Sequence, residues 1–253
     1  MSLKVRIIPT LLYKDMGLVK GIGFDSWRRV GSALQSIKVY NLREVDELIF
    51  LDITATAEGR SPDMDIIDDL ADDCFMPFAV GGGIRSIDDV RRLLQVGADK
   101  VVLNTAAIET PDLIRQIANK FGSQCVVVSI DAKFNDSGEY RVYTHSGKQV
   151  TSENPILVAK RAESLGAGEI MITSIERDGT MSGYDIKLTR MVSDGVTIPV
   201  IASGGAGSYE HMAQVLKEGN ASAVAAASIF HFTQQTPMEA KKYLKNSGIN
   251  VRL

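Results

Sequence analysis

Pro77–Ala106 reads PFAVGGGIRSIDDVRRLLQVGADKVVLNTA, and Pro199–Ser228 reads PVIASGGAGSYEHMAQVLKEGNASAVAAAS. The two stretches align without a gap at an offset of 122 residues. Gly82 falls on Gly204, Gly83 on Gly205, Ser86 on Ser208, Leu94 on Leu216 and Gly97 on Gly219. The same offset carries Glu47 of DELIFLDIT onto Glu169 of GEIMITSIE. A repeat of about half the chain predicts two similar halves fused.

Each copy reads as strand, glycine loop, helix, strand. A short apolar run ends in glycines, and a serine follows that can cap a helix, with acidic residues just behind it. Apolar residues then recur at helical spacing, Val90, Leu93 and Leu94 in one copy and Met212, Val215 and Leu216 in the other. Such units imply parallel strands buried on both faces. Glycine loops that feed helix N-termini expose backbone N–H groups suited to phosphate. Two of them suggest a ligand with a phosphate at each end; the plainer reading is two tight turns.

The length of 253 residues is close to the ~250 usual for one (β/α)₈ barrel. Reading outward from the repeat gives eight strand–helix units without a linker. The expectation is one α/β domain over residues 1–253, a (β/α)₈ (TIM) barrel built from two similar half-barrels. The segment LLYKDMGLVKGIGFDSWRR after the first strand reads as a long mobile loop above the barrel. After the fifth strand, a turn at Asn135–Gly138 and alternation in YRVYTH predict a hairpin. Helices are expected to open at Ser61-Pro62 and near Asp185, and Ile229–Phe232 reads as a short turn.

A formal net charge of −3 argues against bulk binding to nucleic acid or an anionic membrane. Cys74 and Cys125 have no metal spacing, and Cys125 reads as a buried free thiol. MSLKVRIIPT has no signal-peptide core, and no apolar run reaches ~18 residues, so a cytoplasmic protein is expected. No metal or organic cofactor is expected.

The working face of such barrels lies at the C-terminal strand ends. Here those ends offer Asp52, Gly82, Gly83, Asn104, Thr105, Asp131, Thr173, Ser174, Asp178, Gly179, Thr180, Ser203, Gly204, Gly205, Ala227 and Ser228. Asp131 is the sharpest candidate, because a carboxylate ending an apolar strand is costly unless it is paired or used as an acid or base. Asp52 can serve a ligand or hold a loop, and so can Asp178. His211 falls within a helix and reads as a surface residue. Arg6, Glu47, Lys100 and Glu169 stand at the other ends of alternate strands. They can close the barrel floor as a charged ring or make ordinary surface ion pairs, and periodicity alone favours the pairs.

Taken together, FLDITAT, VGGGIRS, GADKVVLNTAA, FGSQCVVVSIDAK, TSIERDGTMSGYD, IPVIASGGAG, AASIFHF and the terminal GINVRL resemble the cyclase subunit of imidazole glycerol phosphate synthase (HisF) along essentially the whole chain. The resemblance implies a barrel that takes ammonia from a HisH-like glutaminase subunit. It adds that ammonia to a bisphosphorylated aminoimidazole carboxamide ribonucleotide (PRFAR), giving imidazole glycerol phosphate and AICAR. It implies phosphate contacts at Gly83, Asn104 and Thr105 in one half and at Asp178, Gly179, Gly205, Ala227 and Ser228 in the other. It turns Arg6, Glu47, Lys100 and Glu169 into a gate for ammonia, and Lys20 matches a loop lysine of the family.

One departure stands out. The family's first strand typically ends C-L-D-V-K-D-G-R-V-V-K-G, whereas Thr10–Gly21 reads TLLYKDMGLVKG. The aspartate that pairs across the barrel with the strand-five aspartate is Leu12 here, while Asp131 is kept. HisF-like paralogues that deliver ammonia for amidination of bacterial surface sugars also resemble this sequence. A scaffold that only docks and activates the glutaminase is a third possibility.

Overall fold

The structure, a computed structural model, describes residues 4–253; Met1–Leu3, the start of the amino-terminal segment, lie outside the described residues. Its elements run β1 (Arg6–Lys14), β2 (Gly17–Ile22), β3 (Asp25–Gly31), α1 (Ala33–Leu42), β4 (Leu48–Asp52), α2 (Met64–Asp72), β5 (Phe78–Gly81), α3 (Ile87–Gln95), β6 (Lys100–Leu103), α4 (Thr105–Glu109) and α5 (Asp112–Phe121). They continue with β7 (Val126–Phe134), β8 (Tyr140–Thr144), β9 (Gln149–Val150), α6 (Pro155–Ser164), β10 (Glu169–Ser174), α7 (Ile186–Ser193), β11 (Val200–Ser203), α8 (Tyr209–Glu218), β12 (Ala223–Ala226), α9 (Ser228–Phe232) and α10 (Pro237–Asn246).

Strands β1, β4, β5, β6, β7, β10, β11 and β12 pair in parallel in that order, and β12 returns to β1. The barrel is therefore closed, an α/β (β/α)₈ fold with helices between its strands. The repeat is visible in its elements. At the offset of 122, β5 falls on β11, α3 starts where α8 starts, and Ser86 and Ser208 each cap their helix through the side chain. Capping of this kind contributes about 1 kcal/mol per helix.

Two layers of apolar side chains hold the barrel. Ile7, Leu11, Phe50, Phe78, Val80 and Ile130 pack outward against the helices. Ile8, Ile49, Ala79, Val102, Val127, Met171, Ile201, Ala223 and Ala225 fill the lumen. Period-two alternation along each strand makes this division, and full burial of each large side chain contributes ~1.5–3 kcal/mol.

Several local expectations change. The segment after the first strand is not an unstructured loop. β1 runs on to Lys14, and β2 and β3 pair with it as an antiparallel ribbon. Alternating Leu18, Lys20 and Ile22 against Asp25, Trp27 and Arg29 supports such a ribbon once β1 supplies an edge. The second excursion holds the expected hairpin: β7 runs on to Phe134, turns over residues 135–138 and pairs antiparallel with β8, and β9 pairs with β8 in turn. Asp63, not Ser61, caps α2, whereas Asp185 caps α7 as expected. The short turn near Ile229 is the helix α9. Cys125 is a free thiol but only half-buried. No helix among the described residues is long and apolar enough to cross a membrane.

Candidate active site

The C-terminal strand ends surround a cavity of about 400 Å³. It is lined by Lys20, Asp52, Gly83, Asn104, Thr105, Asp131, Thr173, Asp178, Gly179, Ser203, Gly205, Ala227 and Ser228. Of the residues expected at the working face, all but Ser174 and Thr180 thus reach one chamber. Thr10, Leu12, Phe24, Trp27, His145 and Ser146 also line it, and of these only Leu12 was singled out from the sequence.

Asp131 ends the apolar part of β7 and is buried. Asn104 Nδ2 donates to its Oδ2 at 3.2 Å and Ser129 Oγ to its Oδ1 at 3.4 Å. Burial first, then the nearby charge of Asp178, push its pKa up to about 7, although the Ser129 and Thr173 hydroxyls pull the other way. A carboxyl poised near neutrality can both take and return a proton. Leu12 lines the same cavity and offers no second proton carrier.

Lys20 does not wave in a loop. It lies on β2, 2% exposed, with Nζ 2.6 Å from Asp178 Oδ2. The Gly23 amide donates to the Asp178 carbonyl at 2.8 Å, so the ribbon is fastened to the β10 loop at two points. Burial, then the Lys20 charge, hold His231 down at about 4.

Asp52 is committed to its own loop. It accepts from the amides of Thr54 and Ala55, and Arg60 Nη1 lies 2.7 Å from its Oδ2. The loop-holding reading of Asp52 is the one its hydrogen bonds match. Thr105 Oγ1 accepts from the His145 amide at 3.0 Å, tying the β8–β9 turn to the first half of the barrel. Gly83 and Gly205 both have positive φ, and a Cβ on Gly205 would stand 2.1 Å from the Gly183 carbonyl oxygen. The Ser228 hydroxyl is buried without a hydrogen-bond partner among the described residues, facing the same chamber. An anionic ligand held at the loop would satisfy it. His211 is half-buried rather than on the surface, its Nδ1 accepting from the Gly207 amide.

The floor carries a closed ring of charges. Arg6 reaches Glu47 at 2.5 Å and Glu169 at 2.7 Å, and Lys100 reaches the same two carboxylates at 2.9 and 2.7 Å. Each cation thus touches both anions. Burial works against the charge on Glu169, but Arg6 and Lys100 together hold its pKa below the usual carboxylate value. Glu47 is 2% exposed. These are not the exposed pairs that periodicity alone favoured.

A family model described as "Histidine biosynthesis protein" matches residues 6–236. The chain belongs to the histidine biosynthesis protein family. Proteins of this family are generally enzymes of histidine biosynthesis, of isomerase or cyclase type, and the match takes in β1 through α9 with both glycine loops. Asp131 and Leu12 line the same chamber. No group of three or more histidine, cysteine, aspartate or glutamate side chains among the described residues is placed to hold a metal ion.

Proposed function

We propose that this chain is a HisF-like synthase subunit of a glutamine amidotransferase. It takes ammonia from a HisH-like glutaminase docked on the barrel floor and uses it on a bisphosphorylated ribonucleotide, PRFAR or a close relative. The charged ring carries the reading: four residues fully cross-bonded at the mouth of an apolar lumen suit a controlled inlet for a small neutral molecule better than surface ion pairing. The glycine loops, with Asn104 and Thr105 on one side and Gly179, Ala227 and Ser228 on the other, would take the two phosphates. Asp131 would move the protons.

The docking face proposed for the glutaminase has an apolar anchor. Leu42 and Phe75 are 86% and 83% exposed; Leu42 ends α1 and Phe75 follows α2 in the loop before β5. Asn41 bridges them, donating to the Asp73 carbonyl at 2.6 Å and accepting from the Phe75 amide at 3.1 Å. Both precede the strands β4 and β5, and so stand on the side of the barrel where those strands begin. Exposed large apolar residues held this rigidly suit a protein interface.

Leu12 favours a second reading, an ammonia-delivering paralogue that serves amidination of bacterial surface sugars through a separate acceptor enzyme. A scaffold that merely activates the glutaminase would have no use for Asp131 and its chamber. Turnover of PRFAR with ammonium salt replacing the glutaminase separates these readings, with wild type and Leu12→Asp run side by side. The primary reading expects wild-type turnover, raised by up to roughly 10²–10⁴-fold in Leu12→Asp. A silent wild type with an active Leu12→Asp would establish the delivering paralogue, and silence in both would leave the scaffold.

A further inference from the structure

Alternate residues of β1 face opposite sides of the barrel wall. Ile7, Leu11 and Tyr13 belong to the layer under the helices and Ile8 to the lumen. Alternation therefore places Arg6, Ile8, Thr10 and Leu12 in one inward file. The file starts at the charged ring with Arg6 and ends at the cavity, which both Thr10 and Leu12 line.

Thr10 is 8% exposed, and its Oγ1 is buried with no hydrogen-bond partner among the described residues. Such a hydroxyl is costly to bury, and valine would fill the same space without it. Its neighbours on the cavity floor do not supply the bond, because Val102, Met171 and Ala225 line that floor and belong to the apolar lumen cluster. A polar molecule held in the cavity would supply the bond. It must also be small, because Thr10 sits between the lumen and Leu12, below the loops suited to large anions.

We propose that Thr10 is an ammonia-binding residue, a station at which ammonia from the lumen halts before it meets its acceptor. This rests on the ammonia-using function proposed above. Oγ1 accepts one N–H of ammonia and leaves the nitrogen lone pair free to attack. A neutral hydroxyl with Leu12 beside it offers ammonia no carboxyl proton. The hydroxyl at position 10 and the leucine at position 12 together keep the nucleophile unprotonated at its last stop.

The test is a solid-state dipolar recoupling measurement between ¹⁵N-ammonium chloride and the full-length protein labelled with ¹³Cβ-threonine. One threonine resonance should dephase in wild type and lose that dephasing in Thr10→Val. In Thr10→Ser, labelled with ¹³Cβ-serine, a new dephased serine should appear. Absence of dephasing in wild type, or dephasing that survives Thr10→Val, overturns the proposal. With PRFAR as acceptor, Thr10→Val should raise KM for ammonium roughly three- to tenfold, the worth of one hydrogen bond, and leave KM for PRFAR unchanged, with Thr10→Ser restoring it. A wild type that does not turn over PRFAR counts against the cyclase reading, whereas the labelled-ammonium result decides Thr10 in either case.

Discussion

Lys20 and Asp178, 158 residues apart in sequence, form a 2.6 Å ion pair that clasps the β2–β3 ribbon to the far half of the barrel. Lys20 →Met should leave the Asp178 carboxylate without its partner at a site largely closed to water. The expected cost is about 3–5 kcal/mol at neutral pH, from chemical denaturation. Hydrogen exchange at the Gly23 amide, which donates to the Asp178 carbonyl, should accelerate in the variant. An unchanged exchange rate would show that the ribbon is held by other contacts.

Asp131 should titrate near neutrality, with its carboxyl ¹³C resonance inflecting at about 7. Burial is the main cause and the Asp178 charge the second, so Asp178→Asn should move the inflection to lower pH. The linkage has a definite sign. A folded pKa raised from 3.8 means that the contribution of Asp131 is most favourable below that value and is lost as pH rises to about 7. Asp131→Asn should therefore raise Tm more at pH 8 than at pH 4, and an equal shift at both would contradict the assignment.

The floor ring should show the opposite sign. Glu169 is held low by Arg6 and Lys100 against its burial, so its contribution is present above its unfolded pKa of 4.5 and is lost as pH falls through the lower folded value. Lys100→Met should weaken the neutral protein and flatten its acid limb. Parallel stability curves for wild type and variant between pH 3 and 6 would argue that Arg6 alone sets Glu169.

Gly205→Ala should be among the more damaging single-methyl changes in the molecule. Its Cβ would fall 2.1 Å from the Gly183 oxygen at a φ of +108°. The expected readouts are a lower Tm and a weakened response of Tm to a bisphosphate ligand. Gly59→Ala, where φ is also positive but nothing lies within 4 Å, is the control for backbone strain alone.

The barrel was legible because its signals are local and repeated: β-branched runs, paired glycines, and Ser86 and Ser208 each three residues ahead of the amide they cap. The site was legible as a set of strand ends, since closure of the barrel brings those ends together whatever their spacing. What escaped depends on partners far apart in sequence. Lys20 looked like a loop residue because nothing local announces its bond to Asp178. The ribbon of β2 and β3 was hidden because its first edge is an extension of β1, and an antiparallel pair needs that edge before its alternation means anything. Thr10 was overlooked because a threonine inside a strand is ordinary until its hydroxyl proves to have no partner among the described residues.

The offset that superposes β5 on β11 and α3 on α8 has a consequence for ligand orientation. A molecule with like charges at both ends would meet two similar cradles and could lie in the chamber head-first or tail-first. Only the differences between the halves lift that degeneracy. Asn104 stands on one side, and Lys20, Asp178 and the Ser228 hydroxyl, which has no hydrogen-bond partner among the described residues, mark the other. In a chamber of near-equal ends, selectivity for direction rests on the few residues where the repeat has diverged, and those are the positions at which a change of substrate would be written first.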